Sequence, residues 1–159
     1  MRYLKNYDEV INLKIDEVYS SKWRNLVVNY IYGPSGTGKT RSVMDKYGYK
    51  EVYRITNYKN PFDMYNYQKI IIFEEFRNSL PIKDMLNYLD GYPLILPCRF
   101  NDKRACYEEV YIISNIDIKD QYTYFQDNEY PTYLAFYRRI HHVYYFDGQQ
   151  VHEEYPYER

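Results

Sequence analysis

Eight consecutive residues, Gly33-Pro34-Ser35-Gly36-Thr37-Gly38-Lys39-Thr40, follow the pattern G-x-x-x-x-G-K-S/T, which suits polyphosphate binding. The glycines let the backbone curl so that successive N–H groups converge on a phosphate. A helix starting at Lys39 adds free amides and the positive end of its dipole. The Lys39 ammonium would bridge the β- and γ-phosphates of ATP, and the Thr40 hydroxyl would ligate Mg2+. Lys39 is expected on an open surface, where its loss would hardly change stability.

Hydrolysis needs more: an acidic group near Mg2+ and another to activate water. Ile70-Ile71-Ile72-Phe73-Glu74-Glu75 offers both at the end of an apolar run. Glu74 is assigned to the Mg2+ shell and Glu75 to water activation as general base, with the exchanged assignment also open. Another apolar run, Val110-Tyr111-Ile112-Ile113, ends in Ser114-Asn115. The Asn115 amide could reach both the γ-phosphate and the attacking water, although Ser-Asn also opens ordinary turns. Arg138-Arg139 read as a surface pair on sequence alone; an arginine there can also act on the γ-phosphate held by a neighbouring subunit.

These groups need a scaffold that gathers strand ends. Leu26 to Tyr32 reads as a buried strand running into the glycine loop, followed by a helix from Lys39 to about Tyr47 closed by Gly48. Val52 to Ile55 and Lys69 to Phe73 read as strands. Pro81 opens a helix whose Ile82, Met85, Leu86 and Leu89 form one apolar stripe, ended by Gly91. Leu94 to Arg99 and Arg104 to Ile113 read as strands joined at Asn101-Asp102-Lys103. If Phe100 pairs with Arg104, Cys98 lies opposite Cys106. A helix from Thr132 to Arg138 and a strand from Ile140 to Phe146 follow. Strands alternating with helices predict an α/β three-layer domain with a mostly parallel central sheet and a β-hairpin insertion. The expected divisions are residues 1–25 as a linker or short helical remnant, 26–147 as the ATPase domain, and 148–159 as a flexible acidic tail.

The chain of 159 residues suits one domain. A net charge of −1 argues against a stand-alone basic nucleic-acid binder, so any such grip must be local or shared among subunits. The two cysteines, Cys98 and Cys106, lack metal-ligand spacing. No apolar stretch is long enough for a membrane span and no signal-peptide core is visible, so a cytoplasmic location with reduced thiols is expected.

Taken together, these blocks resemble the superfamily 3 helicase domain, an AAA+-like P-loop fold, of rolling-circle replication initiators (Rep proteins) of circoviruses and related bacterial plasmids. The resemblance runs from about Asn29 to Phe146. It rests on Gly33 to Thr40, Ile70 to Glu75, Tyr92-Pro93-Leu94, Ile112 to Asn115 and Tyr137-Arg138-Arg139-Ile140, in that order. It implies a hexameric ring with ATP bound between subunits, movement on single-stranded DNA, Asn115 as a sensor, and Arg138 or Arg139 as an arginine finger. It also implies a hairpin entering the ring channel, where Arg99, Lys103 and Arg104 would track phosphates and Phe100 would stack on a base. Family members usually carry a nicking endonuclease with a His-hydrophobic-His motif. His141, His142 and His152 do not form one, so a trimmed or natural fragment, or a stand-alone relative, is expected. The short segment before the loop makes ring assembly by this chain alone weak. Two alternatives stand beside this reading: an RNA helicase of the same superfamily, as in picorna-like viruses, and a non-catalytic Rep fragment that joins other rings. The intact Lys39, Glu75, Asn115 and Arg138 argue against the second.

Overall fold

The apolar runs become strands covered on both faces, the environment that parallel strands require. The computed structural model describes residues 2–154, with side chains described from Tyr7 onward. The elements are α1 (Arg2–Tyr19), β1 (Val27–Tyr32), α2 (Lys39–Tyr47), β2 (Val52–Ile55), β3 (Ile70–Phe73), α3 (Ile82–Tyr88), β4 (Ile95–Leu96) and β5 (Lys103–Arg104). They continue with β6 (Glu109–Ser114), a 3-10 turn (Ile118–Asp120), α4 (Thr123–Asn128), α5 (Tyr130–Arg138), β7 (His142–Phe146) and β8 (Val151–Glu154). No helix of the described residues is long and apolar enough to cross a membrane.

Six strands form one sheet in the order β2-β3-β6-β1-β7-β8, all parallel except β8. Side chains alternate between its faces. Val28, Tyr30, Ile71 and Ile112 pack with Met85 of α3 and Phe136 of α5. Ile31, Ile72 and Ile113 pack on the other face with Val43 and Met44 of α2. The result is the expected three-layer α/β domain. Each fully buried Ile or Phe adds about 1.5–3 kcal/mol by leaving water.

Several local expectations change. The hairpin pairs Ile95 with Arg104 and Leu96 with Lys103, so Phe100 does not face Arg104 and Cys98 does not face Cys106. A two-pair ladder is weak by itself, and ion pairs to distant segments accompany this register. Arg99 Nε lies 2.6 Å from Asp63 Oδ2, and Arg104 Nε lies 2.8 Å from Asp16 Oδ1 of α1. The Cys98 N–H donates to Asp102 Oδ1 at 3.1 Å and closes the loop between the strands.

Gly91 does not terminate α3, which stops at Tyr88 with Leu89 as its cap. A Cβ at Gly91 would lie 2.1 Å from the Arg24 carbonyl, so glycine here permits a close chain approach. Arg24 itself is fully buried, donating to the Tyr107 carbonyl at 2.8 Å and to the Asp90 and Tyr92 carbonyls. It fastens the segment after α1 to the base of the hairpin.

The segment expected as a flexible tail contains β8, which pairs antiparallel with β7; residues 155–159 lie outside the described residues. Asp147 closes the turn by accepting from the N–H groups of Gln149 and Gln150, each at 2.7 Å. The Tyr32 hydroxyl donates to Glu154 at 2.6 Å, tying β8 to the strand that enters the glycine loop. Alternating polarity is too faint over four residues for this edge strand to stand out in the sequence.

Candidate nucleotide site

Strand order gathers the predicted chemistry. β6 lies between β1 and β3, in parallel register with Tyr32 beside Ser114 and Phe73 beside Ile112. The carboxyl ends of all three strands therefore meet at one edge, where open α/β sheets bind ligands. An open cleft of about 310 Å3 there is lined by residues 35–41, Glu74, Glu75 and residues 113–115.

The loop takes its shape from glycine. Gly33 has φ 149°, and a Cβ there would lie 2.1 Å from the Phe146 carbonyl at the end of β7. Gly38 has φ 83° and caps α2 in the left-handed conformation. Lys39 is only 7% exposed, contrary to the expectation of an open position. Its ammonium donates to the Gly33 carbonyl at 2.8 Å and the Pro34 carbonyl at 2.7 Å. Burial lowers its pKa, and the negative charge of Glu74 works in the opposite direction.

The Thr40 hydroxyl donates to the Glu74 carboxylate, 2.7 Å from Oε1 and 3.0 Å from Oε2. Arg54 Nε lies 3.3 Å from the same Oε1. The Tyr58 hydroxyl donates to the Glu74 carbonyl, and the Glu74 N–H donates to the Ile55 carbonyl. Glu74 is thus buried and held from four sides. Glu75 differs in exposure and in backbone: it is exposed, and its φ of 45° places it in the left-handed region. Such a backbone costs about 1–3 kcal/mol in a non-glycine residue and persists only when the surroundings impose it. The strand thereby ends in one fixed carboxylate beside Thr40 and one turned out into the cleft.

Asn115 is exposed at the cleft, directly after the buried Ser114. Arg138 and Arg139 lie elsewhere. They precede β7, whose start pairs with Asn29, whereas the glycine loop leaves the other end of β1. They therefore sit toward the opposite end of the strands from the cleft of their own chain. Arg139 donates to the Leu86 carbonyl at 3.0 Å and the Ala135 carbonyl at 2.7 Å, with Asp90 at 3.7 Å. The Arg138 side chain is exposed and has no ion-pair partner among the described residues.

At the hairpin, Phe100 is 87% exposed. Arg99 pairs with Asp63, Lys103 donates to the carbonyls of Asp63 and Tyr65, and Arg104 pairs with Asp16. Lys103 and Arg104 therefore hold the hairpin in place. Arg54, Tyr58 and Gln121 are contacts around the site that sequence reading passed over. Only Arg54 leaves a signal, a charge interrupting the short apolar strand Val52-Tyr53-Arg54-Ile55.

Fold and cleft together define a P-loop NTPase-like domain of the superfamily 3 helicase kind. A family model described as RNA helicase matches residues 29–116, more than half of the chain, and the chain belongs to that family. Among curated proteins, the replication-associated protein of Canary circovirus is 31% identical over 118 residues, 74% of this chain and 38% of that protein. The replication-associated protein of Human associated cyclovirus 1 is 26% identical over 144 residues, 88% of this chain and 49% of that protein. The corresponding protein of Porcine circovirus 1 is 24% identical over 139 residues, 87% of this chain and 44% of its own length. The chain thus spans less than half the length of these curated relatives.

Proposed function

We propose that this chain is an ATP-driven motor unit of rolling-circle DNA replication, which moves on single-stranded DNA and hydrolyses ATP between subunits of a ring. The observation that carries the reading is the single cleft shared by the glycine loop, the Glu74–Glu75 pair and Asn115. Lys39 and the loop amides bind the phosphates. The Thr40 hydroxyl and Glu74 carboxylate, 2.7 Å apart, form a hard-oxygen pair that fits Mg2+, an ion usually bound by one or two carboxylates together with substrate phosphates. Mg2+ there would neutralise phosphate charge. Glu75, outward-facing and free of the Thr40–Arg54 cluster, accepts the proton of the attacking water, and Asn115 orients that water. Arg138, remote from its own cleft and exposed, reaches the γ-phosphate of an adjacent subunit. At the hairpin tip, Phe100 stacks on a base and Arg99 exchanges Asp63 for a phosphate, while Lys103 and Arg104 support them from behind.

ATP turnover measured against protein concentration, with single-stranded DNA or RNA added, tests the proposal. The rate should rise more steeply than linearly and DNA should stimulate it. Stronger stimulation by RNA would favour an RNA helicase, the activity in the family's description. Tight ATP binding without turnover would instead point to a non-catalytic member of a mixed ring.

A further inference from the structure

We propose that Gln121 is a positioning residue that locks the Glu75 loop and the Asn115 loop into one geometry, a role that rests on the hydrolytic reading above. Gln121 stands in a polar stretch, Asp117-Ile118-Lys119-Asp120-Gln121, yet its side chain has no exposed surface. Its Nε2 donates to the Phe76 carbonyl at 2.8 Å and faces the Tyr30 hydroxyl at 3.0 Å and Ser114 Oγ at 3.2 Å. Its Oε1 accepts the Asn78 N–H at 2.8 Å. A buried amide with this many partners is costly to leave half satisfied, so the network acts as a unit.

Two of these partners are the immediate neighbours of the reacting groups. Phe76 follows Glu75, and Ser114 precedes Asn115. The Ser114 hydroxyl also donates to the Phe76 carbonyl at 2.6 Å, and the Phe76 N–H donates to the Ile113 carbonyl at 2.8 Å. The acidic loop is thereby strapped to the end of β6 by main chain and side chain together. Such straps are needed, because Glu75 and Asn78 both sit in the left-handed region at φ 45° and 47°. Tyr122, left-handed as well at φ 52°, completes a reciprocal clasp in which its N–H donates to Asn78 Oδ1 at 2.6 Å. A third arm comes from β1, where the Tyr30 hydroxyl donates to the Ile116 carbonyl at 2.7 Å. One amide thus joins the strands that carry the phosphate loop, the acidic pair and the polar sensor. Displacing a catalytic group by even 1 Å can cost a large factor in rate, which gives such a network a function beyond packing.

The test compares the full chain with Gln121→Met and Asn78→Gly. Methionine matches glutamine in length without its hydrogen bonds. Glycine suits the left-handed backbone at the exposed position 78, keeps the N–H that donates to Gln121, and removes the side chain whose Oδ1 accepts from Tyr122. In Gln121→Met, amides of residues 75–78 and 114–117 should exchange about 10-fold faster or more, with the phosphate loop unchanged. The kcat for ATP should fall on the order of 10- to 100-fold while affinity for a fluorescent ATP analogue stays the same. Asn78→Gly should move both readouts in the same direction by less, and it decides the matter if the methionine variant does not fold. Unchanged exchange in either loop, or a wild-type kcat in a folded variant, overturns the proposal. A wild-type chain that binds ATP without turning it over would sink the hydrolytic reading, whereas the exchange measurement would still decide whether Gln121 couples the two loops.

Discussion

The Thr40 hydroxyl donates to Glu74 Oε1 at 2.7 Å, joining residues 34 positions apart in the chain. The same oxygen lies 3.3 Å from Arg54 Nε. Under the proposed function, Mg2+ and a phosphate would replace these protein contacts. The neighbouring Lys39 is likewise occupied with carbonyls of its own loop.

Lys39→Ala should remove most of the affinity for ATP with Mg2+, read by calorimetry. Because the ammonium is buried and serves two carbonyls, the variant should also lose about 1–2 kcal/mol in denaturant unfolding. Equal ATP affinity in variant and parent would refute the phosphate role.

Glu75→Gln should keep ATP bound and slow hydrolysis by on the order of 100-fold. Asn115→Ala should follow the same pattern more mildly. A wild-type rate in Glu75→Gln would move the base to Glu74, whose bonds to Thr40 and Arg54 argue for a fixed role instead.

The two arginines should separate cleanly. Arg139→Ala deletes charge-assisted bonds to the Leu86 and Ala135 carbonyls and should lower stability by about 1–3 kcal/mol. Arg138→Ala, at an exposed position, should stay within about 0.5 kcal/mol of the parent. Mixed with wild-type subunits, Arg138→Ala should depress ATP turnover by more than its share; simple dilution of activity would discard the finger role.

For the hairpin, Phe100→Ala should weaken binding of a fluorescent single-stranded oligonucleotide by about 1–3 kcal/mol and leave the melting temperature unchanged. Lys103→Ala should do the reverse, since its ammonium is spent on the Asp63 and Tyr65 carbonyls. Oligonucleotide affinity indifferent to Phe100 would remove the tip from the nucleic-acid path.

The turn before β8 should respond to acid. Asp147 has its pKa lowered from 3.8 to about 2, chiefly by the Gln150 backbone N–H, then by His152 and the Gln149 N–H. A depressed carboxyl stabilises the folded turn above its unfolded pKa, and that contribution disappears as pH falls from about 4 toward 2. Amide exchange at residues 149–152 should therefore be protected at pH 5 relative to Asp147→Ala, with the difference shrinking steadily as pH falls through about 2. A pH-independent difference would contradict the charge-based account.

The placement of much of the candidate site was legible because its signals are local. The glycine pattern states which backbone angles and amides are needed, and the loop at Gly33 and Gly38 adopts them. Long apolar runs ending in polar residues mark the carboxyl ends of β3 and β6, and parallel strands present those ends at one edge. Glu74, Glu75, Ser114 and Asn115 were accordingly found as neighbours of the phosphate loop.

Tertiary structure decided what depends on distant partners. The observed hairpin register comes with Arg99 to Asp63 and Arg104 to Asp16, contacts that span 36 and 88 residues and leave no local sequence pattern. Whether Lys39 is open or buried depends on how the loop closes over its ammonium. Gln121 is polar in a polar stretch, and only the convergence of β1, the acidic loop and β6 gives its amide four partners. The sequence by itself determined the strand-loop-helix and the acidic strand end, because propensity and burial act over a few residues. The roles of Arg54, Arg139 and Gln121 were decided by packing, because a side-chain hydrogen bond is chosen by whatever group the fold brings within 3 Å or so.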